Sequence, residues 1–326
     1  MSNPPFIQVN GLVKHFPLKA GLFSRSTEKV HAVNGVGFAI EKGQTHGLVG
    51  ESGSGKTTTA RLLLRVIEPD SGSFSFDGVP DVFQLAPAQL KKLRRQMQYI
   101  FQDPYASLNP KMQIRDIVTE PLRYAEGAKK LSSAQLNGIA EELLERVGLS
   151  GGDTGKYPHE FSGGQRQRIS IARALSAKPS FIVCDEPVSS LDVSIQSQIL
   201  NLLLDIQQAT GISYLFIAHN LAVVFYLSDY VSVMYAGRIV EAGPSRVLSL
   251  RARHPYTKLL LDAMPGNRGA QREPTGDAGE PPNLIRLPAG CAFYSRCPRR
   301  GEQCAREVPA LREVESSHFM ACFEQG

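Results

Sequence analysis

The sequence predicts an α/β domain built on a largely parallel sheet. Three observations carry this. Short β-type runs alternate with helical patterns, and several of those runs are apolar on both faces, as strands covered by helices on both sides must be. The third is composition: 326 residues, 42% hydrophobic and 21% charged, which suits a globular chain with a large core. That length allows one large domain with an appendage, or two modest domains.

Taken in order, the expected strands are THGLVG (45–50), QYIFQ (98–102), SFIVCDE (180–186), SYLFIAH (213–219) and YVSVMYAG (230–237). Between about 103 and 168 the pattern turns helical, which predicts an insertion in the sheet domain. There SSAQLNGIAEELLERVGL offers Ser132 and Gln135 as a capping box and Gly148 as a stop. Leu136, Ala140, Leu143 and Val147 recur at helical spacing along one face. The apolar stretch SYLFIAHNLAVVFYLSDYVSVMYAG is interrupted by His219, Asn220 and Asp229 and falls short of the ~18 clean apolar residues of a membrane span. It is expected to be a buried strand, helix and strand. The start, MSNPPFIQVNGLVKHF, lacks the basic-then-apolar order of a signal peptide, so the chain is expected in the cytosol, meeting a membrane only through a partner. With 36 basic and 31 acidic residues the net charge is +5, read here as an ordinary solvated surface. After RHPYTKLLLDAMP, the run GNRGAQREPTGDAGEPPN is a polar, Pro/Gly-rich linker, followed by a cysteine-bearing tail.

The chemistry concentrates in three places. GESGSGKTT follows the strand at 45–50 and precedes a helical run, matching G-x-x-x-x-G-K-[ST] in its strand–loop–helix context. Gly50, Gly53 and Gly55 let successive N–H groups converge on phosphate oxygens, with Ser52 and Thr58 in the same cradle. Lys56 supplies a charge for the β- and γ-phosphates of a bound nucleotide, and Thr57 a hydroxyl for Mg²⁺. FIVCDEP ends an apolar strand in two carboxylates, an expensive choice unless a cation or hydrogen bonds compensate. Asp185 is read as a holder of Mg²⁺, Glu186 as placed to polarise a water, and Cys184 as a small core residue. Finally, FSGGQRQR places two adjacent glycines, costly in a helix, beside a polar run. Something must approach that backbone closely. A phosphate loop alone leaves kinases, GTPases, recombinases and transporters open.

FSGGQRQRISIARAL resembles the signature motif of the ABC ATPases, with Phe161 where leucine is commoner. In the family's order, FQDP carries Gln102 as the Q-loop glutamine, SSLD at 189–192 resembles the D-loop, and IAHN places His219 as the switch histidine. The resemblance implies a P-loop NTPase (RecA-like) core with an antiparallel β region, a helical subdomain and, here, a C-terminal extension. It also implies head-to-tail pairing, each ATP lying between one subunit's P-loop and the other's signature. Ser162, Gly163, Gly164 and Gln165 would then meet the γ-phosphate held by a partner, and Asp192 would contact across the pair. Within one site the resemblance implies Glu186 as general base, His219 as γ-phosphate sensor, and Gln102 as ligand to Mg²⁺ and the attacking water. Phe16 is expected to stack on adenine, with a place in the core as the alternative. Arg166 and Arg168 are read as structural contacts.

Exporters usually fuse membrane spans to such a domain and none is read in this sequence, nor is the long coiled coil of a repair machine or the second nucleotide domain of a translation machine, so an importer subunit is expected. FQDPYASLNP, CDEPVSSLDVSIQSQILNLL, RHPYTKLLLDAMP and the tail GCAFYSRCPRRGEQCAREVPAL…HFMACF are similar to the dipeptide/oligopeptide importer ATPases, most of all the F-type subunit. The implied division is a nucleotide-binding domain over 1–262, a linker over 263–288 and a tail over 289–326. The implied partners are a homologous ATPase subunit (heterodimer, with homodimer the alternative), two permeases and, indirectly, an external solute-binding protein. The implied place is the cytoplasmic face of the inner membrane; nucleic acid is not expected. Another solute such as nickel or glutathione, or a soluble ABC ATPase acting on nucleic acid, is the alternative. The tail holds Cys291, Cys297, Cys304 and Cys322, and in a cytosolic setting four thiols suggest metal rather than disulfides. The resemblance implies a [4Fe–4S] cluster, with Zn²⁺ and then free thiols as alternatives.

Overall fold

Thr45–Val49, Phe181–Asp185 and Ser213–Ala218 are buried at every position, which is why these runs are predominantly apolar instead of alternating. The computed structural model describes residues 4–18, 28–123, 131–264 and 280–324. In chain order the first strands are β1 (Ile7–Pro17), β2 (Lys29–Ile40), β3 (Thr45–Val49), β4 (Ser71–Phe76), β5 (Met97–Ile100) and β6 (Phe181–Asp185). They are followed by β7 (Ser213–Ala218), β8 (Tyr230–Tyr235), β9 (Arg238–Pro244), β10 (Arg312–Glu315) and β11 (His318–Met320). All five strands expected from the sequence form, and the long apolar stretch is strand, helix (Leu221–Leu227) and strand. Among the described residues no helix is long and apolar enough to cross a membrane.

The chain divides into two compact units. The first comprises Met1–Ile40, Thr45–Phe83 and Ala218–Gly326. It contains an antiparallel sheet in the order β2-β1-β4, closed by Phe74, Phe76, Ile7, Val9 and Leu12, all fully buried. Burying side chains of this size is worth roughly 1.5–3 kcal/mol each. In the same unit β3 runs parallel to β8, while β8 pairs antiparallel with β9, β9 with β11, and β11 with β10. The tail thus adds a hairpin to the outer edge of β9. Beneath it the carboxylate of Glu241 accepts from the amides of Arg253 (2.7 Å) and His254 (3.2 Å) and meets Nε2 of His318 at 2.8 Å, with both side chains fully buried. The other unit comprises Glu41–Gln44 and Gln84–Ile217, with β5, β6 and β7 parallel and helices around them. The helical segment 103–168 belongs to this unit together with those three strands. Its helix Ser133–Arg146 starts at the expected box: Ser132 Oγ accepts from the Gln135 amide at 3.3 Å, and Gln135 Oε1 from the Ser132 amide at 2.9 Å. Ala140, Leu143 and Val147 are buried, and Leu136 half-buried. Most of the linker expected at 263–288 lies outside the described residues.

Two core histidines tie this fold to pH. His46 lies within β3, stacked on Phe38 at 4.7 Å and 3.0 Å from Ser232 Oγ, and His254 caps the helix Pro255–Asp262. Burial pushes both from 6.5 down to about 4. Below pH 6.5 the unfolded chain therefore takes up protons that the folded chain refuses. Stability is full above that pH and declines as pH falls towards 4, by on the order of 3 kcal/mol per histidine. Denaturant midpoints measured from pH 7.5 to 4.5 are expected to drop through this window; a flat profile would contradict it.

Candidate functional site

In the first unit, residues 50–55 form the loop between β3 and the helix Lys56–Leu63. Gly55 stands at that helix's N-cap with φ +106°, a conformation closed to other residues, and a Cβ there would lie 2.2 Å from the Ala32 carbonyl. The loop places Gly50, Ser52, Gly53 and Gly55 ahead of the helix, whose first residues are Lys56, Thr57 and Thr58. Lys56 is buried, and its ammonium donates to the carbonyls of Gly50 (2.7 Å) and Glu51 (2.9 Å). A charge held against carbonyls at the head of a helix is what an anion would draw away. Phe16 lies on β1 with its ring 36% exposed, so it is not a core residue; Lys14 Nζ sits 5.7 Å from its centroid. His219, exposed, follows the last residue of β7.

The second unit carries the paired acids. β6 stops at Asp185, which is 3% exposed and accepts a hydrogen bond from the Tyr99 hydroxyl. Glu186 leaves the strand with φ +47°, and its amide donates to Ile217 at 2.9 Å. A non-glycine residue in that region is strained, and the turn redirects the carboxylate away from the strand's own alternation. β5 ends at Ile100, two residues before Gln102, so Gln102 is free of the ladder and its Nε2 donates to Glu186 Oε2 at 2.8 Å. The structure thus joins Gln102 to Glu186. Cys184 is wholly buried in β6, the core residue expected, and burial pushes its thiol well up.

The same unit carries the glycine pair. Ser162 caps the helix Gly163–Ser176: its Oγ accepts from the Gln165 amide at 3.4 Å, and Gln165 Oε1 accepts from the Ser162 amide at 2.9 Å. Gly164 is required by the chain itself, since a Cβ would lie 2.6 Å from Ile195 Cγ2. Gly163 is not: it is exposed, and a Cβ would meet only Leu191 at an ordinary 3.5 Å. Arg166 donates to the Pro158 carbonyl (2.7 Å) and stacks over Tyr105, and Arg168 donates to Val147 (2.6 Å), so both are structural contacts. Asp192 is exposed at the N-cap of the helix Val193–Thr210 and makes no capping hydrogen bond.

In the tail, Cys291, Cys297, Cys304 and Cys322 line one small cavity with Phe293 and His254. All are free thiols, and burial raises Cys291 to about 11. Among the described residues no three His, Cys, Asp or Glu side chains are disposed to hold a single metal ion, and this bears equally on the iron–sulfur cluster and on the zinc expected from the sequence. Two contacts had no signal in the motifs: the Tyr99 bond to Asp185, and the fork of Arg296 onto Glu51.

The phosphate loop, the acid pair closing an apolar strand and the serine–glycine helix start together define an ABC ATPase. Comparison with known proteins agrees. Residues 33–189 match the family described as ABC transporter, and 240–304 match the oligopeptide/dipeptide transporter C-terminal region. The chain belongs to the ATP-binding subunits of the oligopeptide/dipeptide ABC importers, and it hydrolyses ATP to ADP and phosphate. It is 48% identical to a peptide import ATP-binding protein of Brucella ovis, over 99% of this chain and 98% of that one. It is 44% identical to the oligopeptide transport ATP-binding protein AppF of Bacillus subtilis, over 97% and 96% respectively. Among solved structures, the dimeric cassette MJ0796 in a post-hydrolysis state with ADP and Pi superposes with a TM-score of 0.63 at 25% identity, covering 74% of this chain and 99% of that one. Cassettes of this class dimerise.

Proposed function

We propose that this subunit binds Mg-ATP on residues 50–58 and closes it against the signature of a homologous ATPase subunit, as a heterodimer. Lys56 takes the β- and γ-phosphates, with Gly50, Ser52, Gly53, Gly55 and Thr58 in the cradle. The hydroxyl of Thr57, the Gln102 amide and the Asp185 carboxylate each offer an oxygen of the kind Mg²⁺ prefers and are the residues that would hold it; the bound ion would offset phosphate charge. Glu186 takes the proton of the attacking water, Gln102 orients that water, and His219 senses the γ-phosphate. Phe16, exposed on its strand, stacks on the adenine. Ser162, Gly163, Gly164 and Gln165 reach the partner's ATP, and Asp192 contacts the partner.

The observation that carries this reading is Gly163. Its own chain leaves room for a side chain, so the bare backbone serves something that comes from outside. Closure driven by ATP and opening after hydrolysis then form a two-state element, with the ligand favouring one state by differential affinity.

The division into a nucleotide-binding domain (1–262), a linker (263–288) and a tail (289–326) belongs to the same reading. So does the working place at the cytoplasmic face of the inner membrane, on two permeases fed by an external solute-binding protein. Peptide import is the activity of the system; the solute itself never touches this chain. The four tail thiols, gathered around one cavity, fit the donor chemistry of an iron–sulfur cluster, which would act as a structural cross-link in a segment too small for its own core. Affinity capture of this chain from its own membranes is expected to bring down two permeases and a second ATPase. Recovery of a lone homodimer bound to nucleic acid would overturn the transport partnership.

A further inference from the structure

Glu51, the residue after Gly50, is held at three points. Its amide donates to the Tyr256 hydroxyl at 2.8 Å, its carbonyl accepts from Lys56 at 2.9 Å, and its carboxylate receives both arms of the Arg296 guanidinium, at 2.8 and 2.9 Å. Arg296 belongs to the tail, within the turn between Cys291 and Cys297. Its side chain is 6% exposed, and it lies over the rings of Phe293 (5.6 Å) and Tyr235 (5.8 Å). A forked, largely desolvated pair of this kind is among the stronger polar contacts a protein makes.

Its position is the unexpected part. A loop that receives a polyphosphate has no use for a carboxylate of its own, because like charge opposes the ligand. Glu51 stands in that loop nonetheless, and a residue some 245 positions away neutralises it. We propose that Arg296 is a positioning residue for the nucleotide loop: its guanidinium cancels the Glu51 charge and holds the loop's first turn, so that the tail sets ATP affinity. The cysteines at 291 and 297 bracket the turn that presents Arg296, and the same turn packs Phe293 against Tyr256, whose hydroxyl holds the Glu51 amide.

The inference rests on residues 50–58 being the nucleotide site, and the test separates the two. ADP is titrated calorimetrically into the full-length chain carrying Arg296→Gln, Arg296→Lys, Glu51→Gln or the double change Glu51→Gln/Arg296→Gln, with Lys56→Ala as the control for the site. Arg296→Gln is expected to weaken ADP about tenfold, as an uncompensated charge at this range does. Arg296→Lys keeps the charge and is expected within about threefold of the parent, and the double change removes the repulsion and returns to the same range. Denaturant midpoints of the same variants separate a loss of fold from a loss of affinity: ADP affinity is compared only among variants that remain folded at the titration temperature. Unchanged affinity in Arg296→Gln, or a double change as weak as that single one, overturns the proposal. If Arg296→Gln does not fold, Glu51→Gln decides: affinity at or above the parent supports the charge argument, and a tenfold loss overturns it. Loss of binding in Lys56→Ala beside unchanged Arg296→Gln leaves the ATP site standing and removes only the role of the tail; unchanged binding in Lys56→Ala removes both.

Discussion

Glu186→Gln is expected to lower steady-state phosphate release by roughly 10²–10⁴-fold, the usual worth of a positioned general base, while ATP binding persists. Glutamine keeps the shape of the side chain, and Gln102 can still reach it, but an amide cannot accept the water's proton. The φ of +47° aims this one side chain out of β6 where Asp185 stays under Tyr99, so the neighbouring carboxylate is not placed to take over. Because hydrolysis would be the event that opens the ATPase pair, the same variant should accumulate a stable ATP-loaded dimer with its partner on size-exclusion chromatography. Retention of more than a tenth of the parent turnover would remove Glu186 from this role.

Gly163→Leu makes the second large effect. The chain has room for the new side chain, which meets only Leu191, and leucine is a good helix former at a helix's first position. Folding and the affinity of this chain's own loop for ADP should therefore be unchanged. On the function proposed above, the leucine fills the space through which a neighbour's γ-phosphate would approach the helix start. The backbone N–H groups remain, but with access to them blocked the cost is expected to be on the order of 10²–10³ in turnover, comparable to removal of one oxyanion donor. The measurement is ATPase activity of the assembled transporter beside ADP affinity of the single chain. Equal losses in both would show a packing defect, and no loss in either would show that nothing docks there.

The expected strands and the capped helix at 132–147 were legible because they are continuous, periodic and punctuated by residues with strong local preferences. The positions of Lys56, Asp185, Glu186 and Ser162 were legible for a related reason: glycines and strand-end carboxylates are poor choices unless chemistry requires them. The order β2-β1-β4 was not readable from periodicity, since antiparallel pairing is decided by partners far along the chain; Asn10 faces Ser73 and Phe16 faces Val30. Tyr99 was hidden because a tyrosine in an apolar run looks like core until the acid beside it is seen. Arg296 was hidden more deeply. Nothing in its local sequence separates it from Arg299 or Arg300, and only the fold brings it to Glu51. The hydrogen bond between Gln102 and Glu186 was likewise hidden, because the two lie 84 positions apart and only the fold brings them together.

The hairpin of β10 and β11 seals the outer side of β9, with His318 and Glu241 locked beneath it. Without residues from Arg312 onward, β9 would expose the backbone groups that now pair with β11, and Glu241 would lose His318 while keeping the amides of Arg253 and His254. Such a margin invites strand-to-strand recruitment of other molecules, so the last residues serve as a guard against self-assembly as well as a terminus.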